Sequence, residues 1–195
     1  MKIERVYRHL LYSLIDKKAE NRFTQAALSV DCHMSLSTVN YALAPLERLG
    51  SIEKRPLSFR VTSPKKILMY WASIRDLEAD VIFRSSDPMP VEEVEMSVPP
   101  GTTLTAYSAF KLRFKEIPSE YTDVIAYGDV REFGRRFPGR AGGTNIVVLR
   151  EDEDLTGFGQ IVPICQMFVD LWNLGTWYAA RYVERLEEII NGILA

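Results

Sequence analysis

The sequence predicts a mixed α+β / α/β protein: an N-terminal winged helix-turn-helix followed by a separate mixed α/β domain. Three observations carry this. Apolar residues recur at helical spacing in three successive segments that run into a strand–turn–strand pattern. From residue 79 onward strand and helix patterns alternate. Charge is also divided along the chain. Residues 1–75 hold 13 Lys+Arg against 6 Asp+Glu, a net +7, while residues 76–195 hold 11 against 20, a net −9. The first part suits a polyanion and the second does not.

The first helix follows from Ile3, Val6, Tyr7, Leu10, Leu11, Leu14 and Ile15, which share one face over residues 3–17. Lys17, Lys18, Glu20 and Asn21 end it. Thr24 is placed to cap a short second helix over Gln25 to Val30, and Asp31 to Met34 form a turn. Ser35 caps a third helix with Val39, Ala42, Leu43, Leu46 and Leu49 on its inner face, and Gly50 stops it by adopting a left-handed conformation. Pro45 lies inside this helix, where it removes one backbone hydrogen bond and is expected to bend the axis. Ser51 to Val61 predicts two strands around a turn at Arg55-Pro56, with Ile52, Leu57, Phe59 and Val61 as apolar members. The expected domain limits are 1–63 for the winged helix-turn-helix, 64–77 for a linker helix opened by Pro64, and 78–195 for the second domain.

On the third helix, Leu36, Ser37, Asn40, Tyr41, Ala44 and Arg48 face away from the apolar stripe. In a helix-turn-helix that face enters the major groove. The candidate DNA-binding set is Ser35, Ser37, Thr38, Asn40, Tyr41 and Arg48 on the helix, with Lys54, Arg55 and Arg60 on the hairpin. Asn40 suits bidentate reading of adenine, and Ser37 a base or phosphate. Tyr41 and Leu36 suit a thymine methyl or sugar. The cations, joined by Lys17, Lys18 and Arg22, suit phosphates; a solvated surface explains any one lysine better than a contact does, and the cluster carries the argument.

In the second domain the pattern predicts strands at 79–83, 123–127 and 146–149 and helices at 91–97 and 130–136. Thr102 to Leu112 is a strand, or a strand running into a helix. Pro163 opens a helix ending at Leu174-Gly175, and Trp177 to Ile193 is amphipathic. Gly139-Arg140-Ala141-Gly142-Gly143 precedes a strand, the wrong order for a phosphate loop, so a plain turn is expected. Arg131, Arg135, Arg136 and Arg140 form a basic patch that fits DNA, a partner or a solvated face. Glu151 to Asp154 reads as a solvated loop.

Several function classes are disfavoured. No apolar run approaches the ~18 residues of a membrane span, and the N-terminus leads directly into a charged periodic helix rather than a signal sequence. A cytoplasmic location is expected. Two cysteines, Cys32 and Cys165, and two histidines, His9 and His33, are too few for a disulfide framework or a structural zinc. No metal or cofactor is expected. A nucleotidyltransferase would need a Gly-Ser turn and an Asp-x-Asp pair to hold metal ions. Tyr107-Ser108 lacks the glycine, and Ile125 stands two residues after Asp123, so no catalytic residue is assigned. A ligand-sensing regulator with a pocket near Trp172, Trp177 and Tyr178 is the other alternative, against which stands the usual use of aromatics at helical spacing as core.

Three stretches point to a family. Ser37-Thr38-Val39-Asn40-Tyr41-Ala42-Leu43-Ala44-Pro45-Leu46, Lys66-Ile67-Leu68-Met69-Tyr70-Trp71-Ala72 with Arg75, and Pro163-x-x-Gln166-x-Phe168-x-Asp170-Leu171-x-x-Leu174-Gly175 resemble the AbiEi family of transcriptional regulators, antitoxins of type IV toxin–antitoxin systems. That resemblance implies an N-terminal domain that binds inverted repeats in its own promoter and a C-terminal domain that counters a cognate nucleotidyltransferase-type toxin. The expected partner is double-stranded DNA, to which the resemblance adds such a toxin; a homodimer is a further option, and the sequence leaves the oligomeric state open.

Overall fold

The computed structural model describes residues 3–139 and 143–195 and is a mixed α+β protein with two sheets. It divides into two compact units: Met1–Arg75 with Pro163–Cys165 and Ile190–Ala195, and Asp76–Val162 with Gln166–Ile189.

In the first unit, α1 (Glu4–Leu11) buries Val6, Tyr7, Leu10 and Leu11, the face the periodicity marks. It runs into a π-helical turn over Tyr12–Asp16, closed by Lys17 N–H donating to the Tyr12 carbonyl at 3.1 Å. The wider turn still buries Leu14 and Ile15. β1 (Arg22–Phe23), α2 (Gln25–Asp31) and α3 (Leu36–Arg48) follow, then β2 (Ile52–Lys54), β3 (Phe59–Val61) and α4 (Pro64–Ile74). The strands form an antiparallel sheet in the order β1-β3-β2. β1 has no counterpart in the sequence reading, because two residues are too few to show alternation. Phe23 is what fixes it, stacking on Phe59 with ring centroids 5.8 Å apart.

Caps set the helix starts. The Thr24 hydroxyl accepts from Ala27 N–H at 3.0 Å, Ser35 from Thr38 N–H at 3.2 Å and Ser63 from Lys66 N–H at 3.4 Å. Gly50 ends α3 at φ +62°, a conformation that disfavours any residue with a Cβ. Pro45 sits within α3 without breaking it, and the helix continues to Arg48. Two apolar assignments change. Leu49 is exposed at the helix end, and Leu57 projects from the hairpin turn at 90 % exposure instead of packing in a strand.

A buried polar cluster joins α1 to α4. Glu4 accepts from the Trp71 indole N–H at 3.0 Å and pairs with Arg75 at 3.3 Å, with both charged side chains almost fully enclosed. The Tyr7 hydroxyl donates to the Ala42 carbonyl at 3.0 Å. Burial pushes the Tyr7 phenol well above its ordinary range.

The second unit is built on a mixed sheet in the order β4-β7-β6-β5, formed by β4 (Val81–Ser85), β5 (Thr103–Leu104), β6 (Val124–Tyr127) and β7 (Ile146–Leu149). β6 and β7 are parallel and linked through α7 (Val130–Arg136), while the two outer pairs are antiparallel. Every β6 residue is buried, as expected for a strand covered on both faces. Also here are α5 (Val91–Ser97), α6 (Ala106–Phe114) and most of α8 (Ile164–Trp172) and α9 (Trp177–Leu194). Thr102 to Leu112 thus resolves as a short strand running into a helix.

Asp129 caps α7 by accepting from Glu132 and Arg131 N–H, which holds its carboxyl below the usual carboxylate range. At Gly128 a Cβ would come within 2.9 Å of the Phe133 ring, so the turn from β6 into α7 leaves no room for a side chain. Tyr107, Tyr121, Tyr178 and Tyr182 form an aromatic cluster with Phe110. Burial pushes both the Tyr178 and Tyr182 phenols up to about 12.

Candidate nucleic-acid interface

The turn between α2 and α3 fixes the position of α3. His33 N–H donates to the Val30 carbonyl at 3.1 Å and Met34 N–H to the Ser29 carbonyl at 2.9 Å. The Ser29 hydroxyl donates to the Met34 carbonyl. His33 itself takes a left-handed φ of +49°, a conformation usually left to glycine, and this closes the turn in few residues. Beneath it, Leu28, Val39, Ala42, Leu43 and Leu46 are buried and hold the two helices together.

The opposite face of α3 carries the predicted residues. Ser37, Asn40, Tyr41 and Arg48 are exposed, Tyr41 at 72 %. A rise of ~1.5 Å per residue spreads Ser37 to Arg48 over about 16 Å of one helix. Ser35 and Thr38 also hold the start of the helix. Their hydroxyls lie 2.8 Å apart, with Ser37 Oγ also 2.8 Å from Ser35 Oγ, so the first turn of α3 is knit by its own hydroxyls. Thr38 is half-buried in that arrangement, which makes it a capping residue more than a surface one.

The hairpin brings the cations. Lys54, Arg55 and Arg60 are all exposed. Lys54 pairs with Glu47 of α3 at 2.6 Å, and Arg55 stands 4.0 Å from Glu53. Arg60 donates to Asn21 Oδ1 at 3.2 Å, and Arg22 of β1 to Ser58 Oγ at 3.3 Å. β1 therefore places Arg22 beside Arg60, its register partner on β3. A cavity of about 280 Å³ on this side is lined by Glu20, Asn21, Arg22, Arg55, Phe59 and Arg60. A second, of about 260 Å³, separates the start of α3 at Leu36 from the hairpin turn at Arg55, Pro56 and Leu57. Pairing with Glu47 lowers the net field around Lys54, whereas the hydrogen bonds of Arg22 and Arg60 go to neutral groups and leave their charge uncompensated by those partners. The sequence marks Arg22 only as one cation among several; its pairing across the sheet is what sets it beside Arg60.

The second unit offers a different chemistry. Gln166, Phe168 and Asp170 are buried. Asp170 Oδ2 accepts from the Thr105 and Tyr127 hydroxyls, both at 2.7 Å, and its Oδ1 from the Gln166 amide at 2.9 Å. Gln166 also donates to the Tyr127 hydroxyl at 3.0 Å. Asp123 Oδ2 accepts from the Tyr178 hydroxyl, and Ser108 is buried. Arg131, Arg135 and Arg136 are exposed on α7, with Arg135 paired to Glu132 and Arg136 donating to the Ser97 carbonyl at 3.1 Å. Arg140, and residues 140–142 of the glycine-rich stretch, lie outside the described residues. In the acidic run, Asp152 Oδ1 accepts from Asp154 and Leu155 N–H, so it closes a local turn.

Among the described residues no His, Cys, Asp or Glu group has metal-holding geometry, and no helix is long and apolar enough to cross a membrane. Comparison with protein-family models, with curated proteins and with solved structures finds no match to this chain.

Proposed function

We propose that the protein is a sequence-specific DNA-binding transcription regulator whose first unit works as a winged helix-turn-helix, with α3 in the major groove and the β2–β3 hairpin as the wing. The observation that carries the reading is the exposed face of α3, Ser37, Asn40 and Tyr41, flanked by Arg22, Arg55 and Arg60 on the sheet. The net +7 of residues 1–75 supports it. In this reading the protein has no catalytic role, and it acts in the cytoplasm on double-stranded DNA as a homodimer.

The test uses the full chain, because Pro163–Cys165 and Ile190–Ala195 belong to the first unit. Duplexes enriched from a random pool should bind with a log–log salt slope of about −4 to −5, corresponding to roughly five phosphates. Asn40→Ala should cost ~1–3 kcal/mol on the enriched site and little on random DNA, whereas Arg22→Ala should weaken both alike. Equal losses on the two DNAs for Asn40→Ala would place base reading elsewhere, and no binding at low salt would end the proposal.

The AbiEi resemblance extends this to an autorepressing antitoxin whose second unit counters a nucleotidyltransferase-type toxin. Because Gln166, Phe168 and Asp170 are buried, contact with a toxin falls to exposed residues, of which Trp172 and Trp177 are the largest aromatics in the second unit. Sequencing the adjacent open reading frame should reveal a nucleotidyltransferase-type toxin, and its co-expression should be tolerated with the intact chain and equally with an Asn40→Ala chain. Loss of protection with Asn40→Ala would tie the effect to DNA binding and remove the antitoxin role of the second unit.

A further inference from the structure

We propose that the hairpin turn carries an apolar wedge, Pro56–Leu57, that enters the minor groove, opens a base step and bends the DNA; this rests on the DNA-binding reading above. The turn is short and rigid. Lys54 and Phe59 are the last register pair of β2 and β3, and Arg55 N–H donates to the Ser58 carbonyl at 2.8 Å, leaving Pro56 and Leu57 as the two central residues. Proline fixes φ on one side of Leu57, so the tip has few conformations to lose on binding.

Leucine is an unusual choice at such a position. Turns favour Gly, Asn, Asp and Ser, each for a conformational or hydrogen-bonding reason that leucine cannot meet. At 90 % exposure Leu57 contributes almost nothing to the core. A single exposed apolar side chain needs no explanation by itself. Its surroundings supply one here.

Arg55 immediately precedes the tip, and Arg22 and Arg60 pair across the sheet behind it. Leu36 at the start of α3, itself half exposed, lines the same cavity as Pro56 and Leu57. An apolar point set among arginines matches the minor groove, whose walls are sugar-phosphate and where a wedge that passes the polar base edges meets the apolar faces of the stacked bases. Apolar side chains inserted there unstack a step and kink the duplex by roughly 20–90° towards the major groove, most easily at flexible TA and CA steps. Arginines also serve protein interfaces, but the net +7 of residues 1–75 favours a polyanion, and a lipid surface would call for a larger apolar face.

The experiment uses the full chain and two probes derived from the enriched duplex: one with 2-aminopurine beside each TA or CA step, the other with donor and acceptor dyes on its ends. Wild-type protein should raise 2-aminopurine fluorescence several-fold at one step and shorten the end-to-end distance. Leu57→Ala should abolish both signals while keeping the salt slope, and Leu57→Met should retain them. Arg55→Ala should weaken binding and flatten the slope. Because Leu57 is almost fully solvated, its variants leave the fold intact, which far-UV circular dichroism checks. Binding without either signal, or signals unchanged in Leu57→Ala, would overturn the wedge and leave the DNA-binding reading standing. Failure of the duplex to bind at low salt would overturn both.

Discussion

Glu4→Ala should destabilise the first unit by about 3–5 kcal/mol, the cost of removing one partner from a buried ion pair. The Glu4 carboxylate is the acceptor for the Trp71 indole and the counter-charge for Arg75, and both charged groups are shut off from water. Removing it leaves a guanidinium in a low-dielectric site without that carboxylate. Glu4→Gln keeps an acceptor for Trp71 and should cost less. Replacing both members, Glu4→Met with Arg75→Met, should recover part of the loss, since the penalty comes from the surviving charge more than from the lost pair. Urea unfolding followed by Trp71 fluorescence, in a chain with Trp172→Phe and Trp177→Phe, measures this directly. A loss under ~1 kcal/mol for Glu4→Ala would show that the site admits water.

The second large effect is expected at Asp170. Asp170→Ala removes the acceptor for Thr105, Tyr127 and Gln166 together in a fully buried site. Each stranded donor costs about 1–3 kcal/mol, so the total should be roughly 3–5 kcal/mol after relaxation. Asp170→Asn preserves the shape but turns one acceptor position into a donor that faces another donor, and should cost less than alanine. Thermal unfolding of the second unit, read by the near-ultraviolet signal of its tyrosine cluster, reports the change. If Asp170→Ala unfolds like wild type while toxin protection is lost, the carboxylate belongs to a binding surface after all.

Asp170 also bears on how much of the site was legible in the chain. The Gln166-x-Phe168-x-Asp170 spacing stands out in the sequence, and the resemblance it carries invites a docking role. The fold uses all three side chains internally. Such a motif can reflect a shared packing arrangement as readily as a shared partner.

The sequence alone determined the features that depend on near neighbours. Helical spacing identified the inner faces of α1 and α3, and Thr24, Ser35 and Gly50 marked helix ends because capping is a contact within three or four residues. The exposed face of α3, with Ser37, Asn40 and Tyr41, followed from the same periodicity, as the side opposite the apolar stripe. Only the tertiary structure decided what depends on distant segments. Glu4, Arg5 and Arg8 are charged residues on an amphipathic helix, yet all three are buried. Glu4 is enclosed because its partners Trp71 and Arg75 lie some seventy residues along the chain, beyond the reach of any local pattern. β1 exists because β3 pairs with it, and that pairing sets Arg22 beside Arg60. Leu57 reads as a strand residue by alternation but stands at the turn, because the Lys54–Phe59 register places the reversal around it. Periodicity tells which side of an element is apolar; which charges are enclosed, and which apolar group is left outside, depends on partners that only the folded chain brings together.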